Sequence, residues 1–146
     1  MPKKALVTPQ EAATTCVCQK ARMAARAITR TYDDALRPSA LRSTQFTILV
    51  AASMAGGIPL SRLAAMLGLE RTTLTRNLTA IEREGLVRVA SVNGRTRNVL
   101  LTSRGAARLD QALPLWDRVQ QELRRRLGEK EWSTMNHSLT KLAETA

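Results

Sequence analysis

The period of the apolar positions changes twice in the middle of the chain. Leu60, Leu63, Ala64 and Leu67 recur at helical spacing and predict a helix over 60–67, with Gly68 placed for a left-handed cap. Leu74, Leu78 and Ile81 predict a second helix from Arg71 to Gly85. Strand-like runs then take over in Leu86-Val87-Arg88-Val89 and Val99-Leu100-Leu101. Asn93-Gly94 lies between them, and both residue types accept the positive φ of a tight hairpin turn. The order is helix, turn, helix, hairpin.

The flanks are helical. Thr8-Pro9-Gln10-Glu11 carries an N-cap, a first-turn proline and a reciprocal acid, so a helix is expected from there to about residue 37, where Pro38 stops it. Its stripe is Val17, Ala21, Ala24, Ile28, Tyr32 and Ala35, and the opposite side holds Lys20, Arg22, Arg26, Arg30 and Arg37. That basic side is a solvated face or a contact for the backbone of a polyanion. Ser43 is read as the cap of a helix over 44–54, and Phe46, Ile48, Leu49, Val50 and Ala52 make it apolar enough to be buried. Gly56-Gly57-Ile58-Pro59 ends it. Thr102 or Ser103 caps a long helix to about residue 127, with Ala106, Leu109, Leu113, Trp116, Val119, Leu123 and Leu127 on one stripe. Pro114 either kinks this helix or divides it in two. After Gly128 a last helix over 129–145 turns Trp132, Met135, Leu139, Leu142 and Ala143 to one side. The ends, 1–7 and 144–146, are expected to fray.

This pattern predicts a mainly α fold with a small β-hairpin wing: a winged helix-turn-helix over 41–102, flanked by dimerisation helices over 8–37 and 103–145. The terminal stripes exceed what a small winged helix covers, and paired copies would bury them. A homodimer is therefore expected.

Charge then points to a partner. The 146 residues carry a formal net charge of +11, and residues 61–108 hold nine arginines against three acids, a difference of +6. Arg71, Thr72, Thr73, Thr75, Arg76 and Asn77 lie on the second helix away from its apolar stripe. Short hydroxyls, an amide and guanidiniums reach base edges and phosphates in a major groove. Arg95 and Arg97 fall at the hairpin tip, suited to the minor groove. Double-stranded DNA is the expected partner. A sequence-neutral architectural protein would share this charge, and a scaffold that binds no DNA is the third reading.

Other classes find little support. Apolar runs are too short to span a bilayer and the N-terminus has no signal-peptide pattern, so no membrane partner and a cytoplasmic location are expected. His137 is the single histidine and is distant from both cysteines in sequence, so no metal and no cofactor are expected. No nucleophile set, carboxylate pair or phosphate-cradling glycine loop suggests an enzyme.

The motifs Leu-Ser-Arg-Leu-Ala, Thr-Leu-Thr-Arg-Asn-Leu with Arg-Glu-Gly-Leu-Val after it, and Asn-Gly-Arg ahead of Leu-Thr-Ser-Arg-Gly resemble the MarR family of bacterial transcription regulators over nearly the whole chain. The resemblance implies a triangular dimer with interlocked terminal helices, acting as a repressor at a palindromic operator. Asn93 stands where the family usually has an Asp that orients the wing arginine, which Arg95 matches. Cys16-Val17-Cys18 reads two ways. Two small thiols pack well at a helix interface. A thiol near a helix start, beside Lys20 and Arg22, also suits a redox sensor. By the resemblance, Cys18 falls on the reactive cysteine of organic-peroxide sensors and Tyr32 on a tyrosine that assists it, while Arg22 replaces another of their tyrosines. Cys16 and Cys18 are not expected to pair, because side chains two apart on a helix diverge. The alternative signal is a small-molecule effector, in a pocket between the terminal helices and the winged helix, lined by the long helix and helix 44–54.

Overall fold

A computed structural model describes residues 7–54 and 57–146. The expected fraying of residues 1–6 and the helix-ending role of Gly56 lie outside the described residues. The elements run α1 (Pro9–Thr15), α2 (Val17–Leu36), a 3-10 turn (Arg37–Ser39), α3 (Ser43–Ser53), β1 (Ile58–Pro59), α4 (Leu60–Leu67), α5 (Arg71–Arg83), β2 (Val87–Val92), β3 (Thr96–Leu101), α6 (Ser103–Leu127) and α7 (Glu129–Thr145).

The first helix is two helices, not one. Its start has the expected capping box, Thr8 Oγ1 accepting from Glu11 N–H and Glu11 accepting from Thr8 N–H. The chain then breaks at Cys16, whose ψ of 107° is extended. Thr14, Thr15 and Cys16 are three weak helix formers in a row, and both threonine hydroxyls donate to carbonyls of the preceding turn. No residue of α1 is buried, so no packing overrides that weakness. Cys16 thus stands between helices, and the rule that helical side chains two apart diverge does not govern the cysteine pair.

Ser43 is the first residue of α3 rather than its cap. Its N–H is satisfied by Asp33 Oδ1 of α2 at 2.7 Å, while Gln45 Oε1 accepts from Arg42 N–H at 2.9 Å. A carboxylate from another helix does the work assigned to a local hydroxyl. α3 is the central helix, with Phe46, Ile48, Leu49, Ala51 and Ala52 buried. Leu36, Leu63, Leu74, Ile81, Leu86 and Val99 complete the core around it, and Leu109 and Ala112 of α6 close it. Phe46 stacks on Trp116, ring centroids 6.0 Å apart.

The hairpin is longer than its apolar signal, and it gains a third strand. The sheet order is β1-β3-β2, all antiparallel, with Val89 opposite Val99 and Val92 opposite Thr96. Polar Ser91, Thr96, Arg97 and Asn98 hide the strand ends from a hydrophobicity reading, because pairing there follows the turn. β1 is two residues long, and its Pro59 fits an edge position where no N–H is required. Asn93 and Gly94 have φ of 56° and 70°, as their turn role demands.

α6 runs unbroken through Pro114, packed on either side by Ala112 and Val119, so the divided alternative is not the one realised. Thr102 caps it, accepting from Gly105 N–H at 2.9 Å and donating to Gly85 O at 2.6 Å. α7 runs to Thr145, and Ala146 N–H donates to Leu142 O at 3.0 Å. No residue of α7 is buried, and within the chain the stripe of α2 is covered mainly at its C-terminal end. No helix among the described residues is long and apolar enough to cross a membrane.

Candidate nucleic-acid interface

α5 is amphipathic by the spacing of its leucines. Leu74, Leu78 and Ile81 are buried, which turns Thr72, Arg76, Thr79 and Arg83 outward. Arg71 and Thr75 are exposed on one flank; Thr73 and Asn77 are half-buried on the other. Thr79 joins the exposed row although the sequence reading did not single it out, and its one-turn spacing from Thr75 was the available signal. The hydroxyls of Thr75 and Thr79 donate to Arg71 O and Thr75 O, so toward a ligand they remain acceptors.

The wing stands beside this row. Arg95 is in the turn, its N–H donating to Val92 O at 3.4 Å, and Arg97 lies two residues further along, opposite Ser91. Glu82 of α5 ties helix to wing by accepting Val89 N–H at 3.0 Å. A cleft of about 320 Å³ opens between α5 and the wing, with Thr75, Thr79, Glu82 and Arg97 on its walls. A smaller one of about 200 Å³ lies at the N-terminal ends of α4 and α5, lined by Leu60, Ser61, Arg71, Arg95, Thr96 and Arg97. Among the described residues, Glu84 is the only acid of the winged helix in an ion pair, with Arg108 at 3.9 Å. The guanidiniums of Arg71, Arg76, Arg95 and Arg97 have no acid at ion-pair distance among the described residues.

The cysteine constellation does not assemble within one chain. Cys16 and Cys18 are exposed, and Tyr32 lies fourteen positions beyond Cys18 on α2, about 21 Å along the axis. Tyr32 instead donates from its hydroxyl to Gln120 Oε1 of α6 at 2.7 Å, and burial pushes its phenol pKa up. Any help from Tyr32 to Cys18 would have to cross between two copies.

Where α3 meets α6, Phe46 stacks on Trp116. Two cavities open between the terminal helices and their neighbours. One of about 560 Å³ lies where α2, the start of α3 and the end of α5 meet, with Arg30, Asp33, Asp34, Arg42, Gln45 and Glu84 among its walls. Another, of about 500 Å³, is a groove between α2 and α6 floored by Ala35, Leu115 and Val119.

A buried three-helix core carrying an exposed arginine- and threonine-rich helix beside an arginine-bearing hairpin defines a winged helix-turn-helix protein. A MarR family profile matches residues 41–92. The chain is 42% identical to the Mycobacterium tuberculosis transcriptional regulator MosR, solved in complex with DNA, covering 88% of this chain and 94% of that one with a TM-score of 0.81. A mutant E. coli MarR complexed with operator DNA is 25% identical, over 92% of this chain and 99% of that one, TM-score 0.81. The oxidized form of E. coli MarR is 26% identical, over 86% and 93%, TM-score 0.70. No curated protein matches. The chain belongs to the MarR family of DNA-binding transcription regulators, which are not enzymes.

Proposed function

We propose that this protein is a homodimeric repressor that binds a palindromic operator in the cytoplasm and leaves it on an oxidative or small-molecule signal. The observation that carries the DNA reading is the exposed row of Thr72, Thr75 and Arg76 on α5 beside an unpaired wing arginine, Arg95. In this reading Thr72, Thr75 and Arg76 face base edges, Arg71, Thr73 and Asn77 frame the groove, and Arg95 follows the minor groove. The capture of a 42% identical relative with DNA supports it.

Residues 41–102 form the DNA-binding unit, and residues 8–37 and 103–145 supply the dimerisation helices. The argument for the dimer is apolar surface: Val17, Ile28, Leu139 and Leu142 are each at least 40% exposed in the single chain. A two-fold axis through these helices would present two copies of α5 to two half-sites. Cys18 is the proposed oxidant sensor. For an effector, the cavity walled by Arg30, Arg42 and Glu84 is well placed, because Glu84 is the C-cap of α5.

Selection of bound fragments from the source genome tests the reading. One palindrome should be preferred over random duplex by roughly a thousandfold at physiological salt. Equal affinity for every duplex would leave a sequence-neutral basic protein, and no binding at low salt would leave a scaffold.

A further inference from the structure

Three arginines line a cleft that no acid lines. Arg71 at the start of α5 and Arg95 and Arg97 of the wing border the cavity of about 200 Å³ described above, with Ser61 beside them. The three larger cavities each include a carboxylate: Glu84 in the first, Glu82 in the second and Glu122 in the third. Like charges gathered at short range repel, and an anion among them reverses the sign of that interaction. The first turn of α4 adds donors, since Pro59 at its N-cap offers no capping side chain and Ser61 contributes a hydroxyl.

The two wing arginines are not equivalent. Arg95 sits in the turn, at the tip. Arg97 sits on the shaft of β3, and it borders both the acid-free cleft and the cleft against α5. It is at the junction of helix and wing, not at the end that would enter a groove. We infer that Arg71, Arg97 and Ser61 seat one phosphate of the DNA backbone between the recognition helix and the wing, leaving Arg95 as the wing arginine for the minor groove. This rests on the DNA-binding reading and departs from the expectation that Arg95 and Arg97 act alike. A phosphate held there fixes the register of α5 without carrying sequence information itself.

The salt dependence of binding to a short random-sequence duplex reads the seat directly. Arg97→Gln should weaken binding to all sequences alike and reduce the slope of log K against log salt by about 0.9 for each subunit engaged. Arg97→Lys should restore most of that slope. Arg97 is exposed, so thermal melts of these variants should match wild type and separate lost contact from lost fold. On the tightest duplex recovered from the genome, single neutral methylphosphonates should reveal one position per half-site that weakens wild type and costs Arg97→Gln nothing further. An Arg97→Gln slope equal to that of wild type overturns the seat while leaving DNA binding intact. So does a loss confined to sequences with a narrow A·T minor groove, which would return Arg97 to the groove. If inorganic phosphate at fixed ionic strength raises the wild-type melting temperature but not that of Arg97→Gln, and the two DNA slopes agree, the site serves free phosphate and the backbone assignment is wrong. Wild-type protein that binds no duplex at low salt overturns the DNA reading and the seat together.

Discussion

Arg76 points almost directly away from the buried stripe of α5, whereas Thr73 and Asn77 are half-buried at its edge. A guanidinium in the outward position can make paired hydrogen bonds to one guanine, and truncating it removes that discrimination. Arg76→Ala should cost about 1–3 kcal/mol of operator affinity and relax preference at one position in each half-site, read by binding to single-base operator variants. Tyr32 gives a second residue-level test, because it is the only tyrosine in the chain. Burial raises its pKa from the ordinary 10.0 by penalising the phenolate. Its contribution to stability is therefore complete below about pH 10 and is lost as pH rises through the higher folded value. Phenolate absorbance of the folded protein should appear at higher pH than in the denatured chain. Tyr32→Phe should flatten the alkaline fall in melting temperature, and coincident titrations of folded and denatured protein would show that Tyr32 is not buried in solution.

The junction of wing and long helix is where elements are most tightly fitted. A Cβ at Gly105 would overlap the carbonyl oxygen of Leu86, so α6 lies against the start of β2 with no room for a methyl group. Gly68, by contrast, has positive φ but open space around it. Gly68→Ala should cost about 1–2 kcal/mol, the strain of a left-handed alanine. Gly105→Ala must displace backbone and should cost about 3 kcal/mol, the upper range for overpacking. Denaturant unfolding of both variants checks the order, and a Gly105→Ala cost below that of Gly68→Ala would mean that α6 shifts freely. Helices α4 and α5 and the turn at Asn93-Gly94 were legible because each rests on local signals: apolar period, a glycine cap, a turn dipeptide. The break at Cys16, the Asp33 cap on α3, the two-residue β1 and the Gly105 contact were not. Each depends on what is, or is not, packed against the segment, and a single chain read in order carries no such information. The candidate interface shows the same division. Spacing placed Arg76 on the exposed face, but only the folded wing separates Arg97 on the shaft from Arg95 at the tip.

At the scale of the whole molecule, the proposed function requires a signal read at the terminal helices to reach α5. Cys18 is in the first turn of α2, exposed in the single chain, on a helix whose apolar Val17 and Ile28 are 57% and 43% exposed within that chain. If those helices pair, Cys18 lies near the seam, and oxidising it places a polar or bulkier group there. The dimer geometry that matches the operator would then lose ground to another separation of the two α5 helices. A coupling of about 3 kcal/mol lowers affinity roughly 150-fold, enough to empty an operator. Because Tyr32 and Cys18 are about 21 Å apart along one helix, any effect of Tyr32→Phe on the rate of Cys18 oxidation must be transmitted between subunits. It should vanish in a monomeric variant such as Ile28→Glu with Leu139→Glu, whose oligomeric state sedimentation would report. Cys18→Ser should keep operator binding and ignore organic peroxide. Cys16→Ser should matter less, unless Cys16 resolves the oxidised thiol in a disulfide, which non-reducing mass measurement would detect. Operator binding before and after peroxide, with thiol mass followed in parallel, decides between the signals. Wild-type protein that stays bound with Cys18 fully oxidised has no redox switch at this position, and the effector cavity beside Glu84 then becomes the place to look for control.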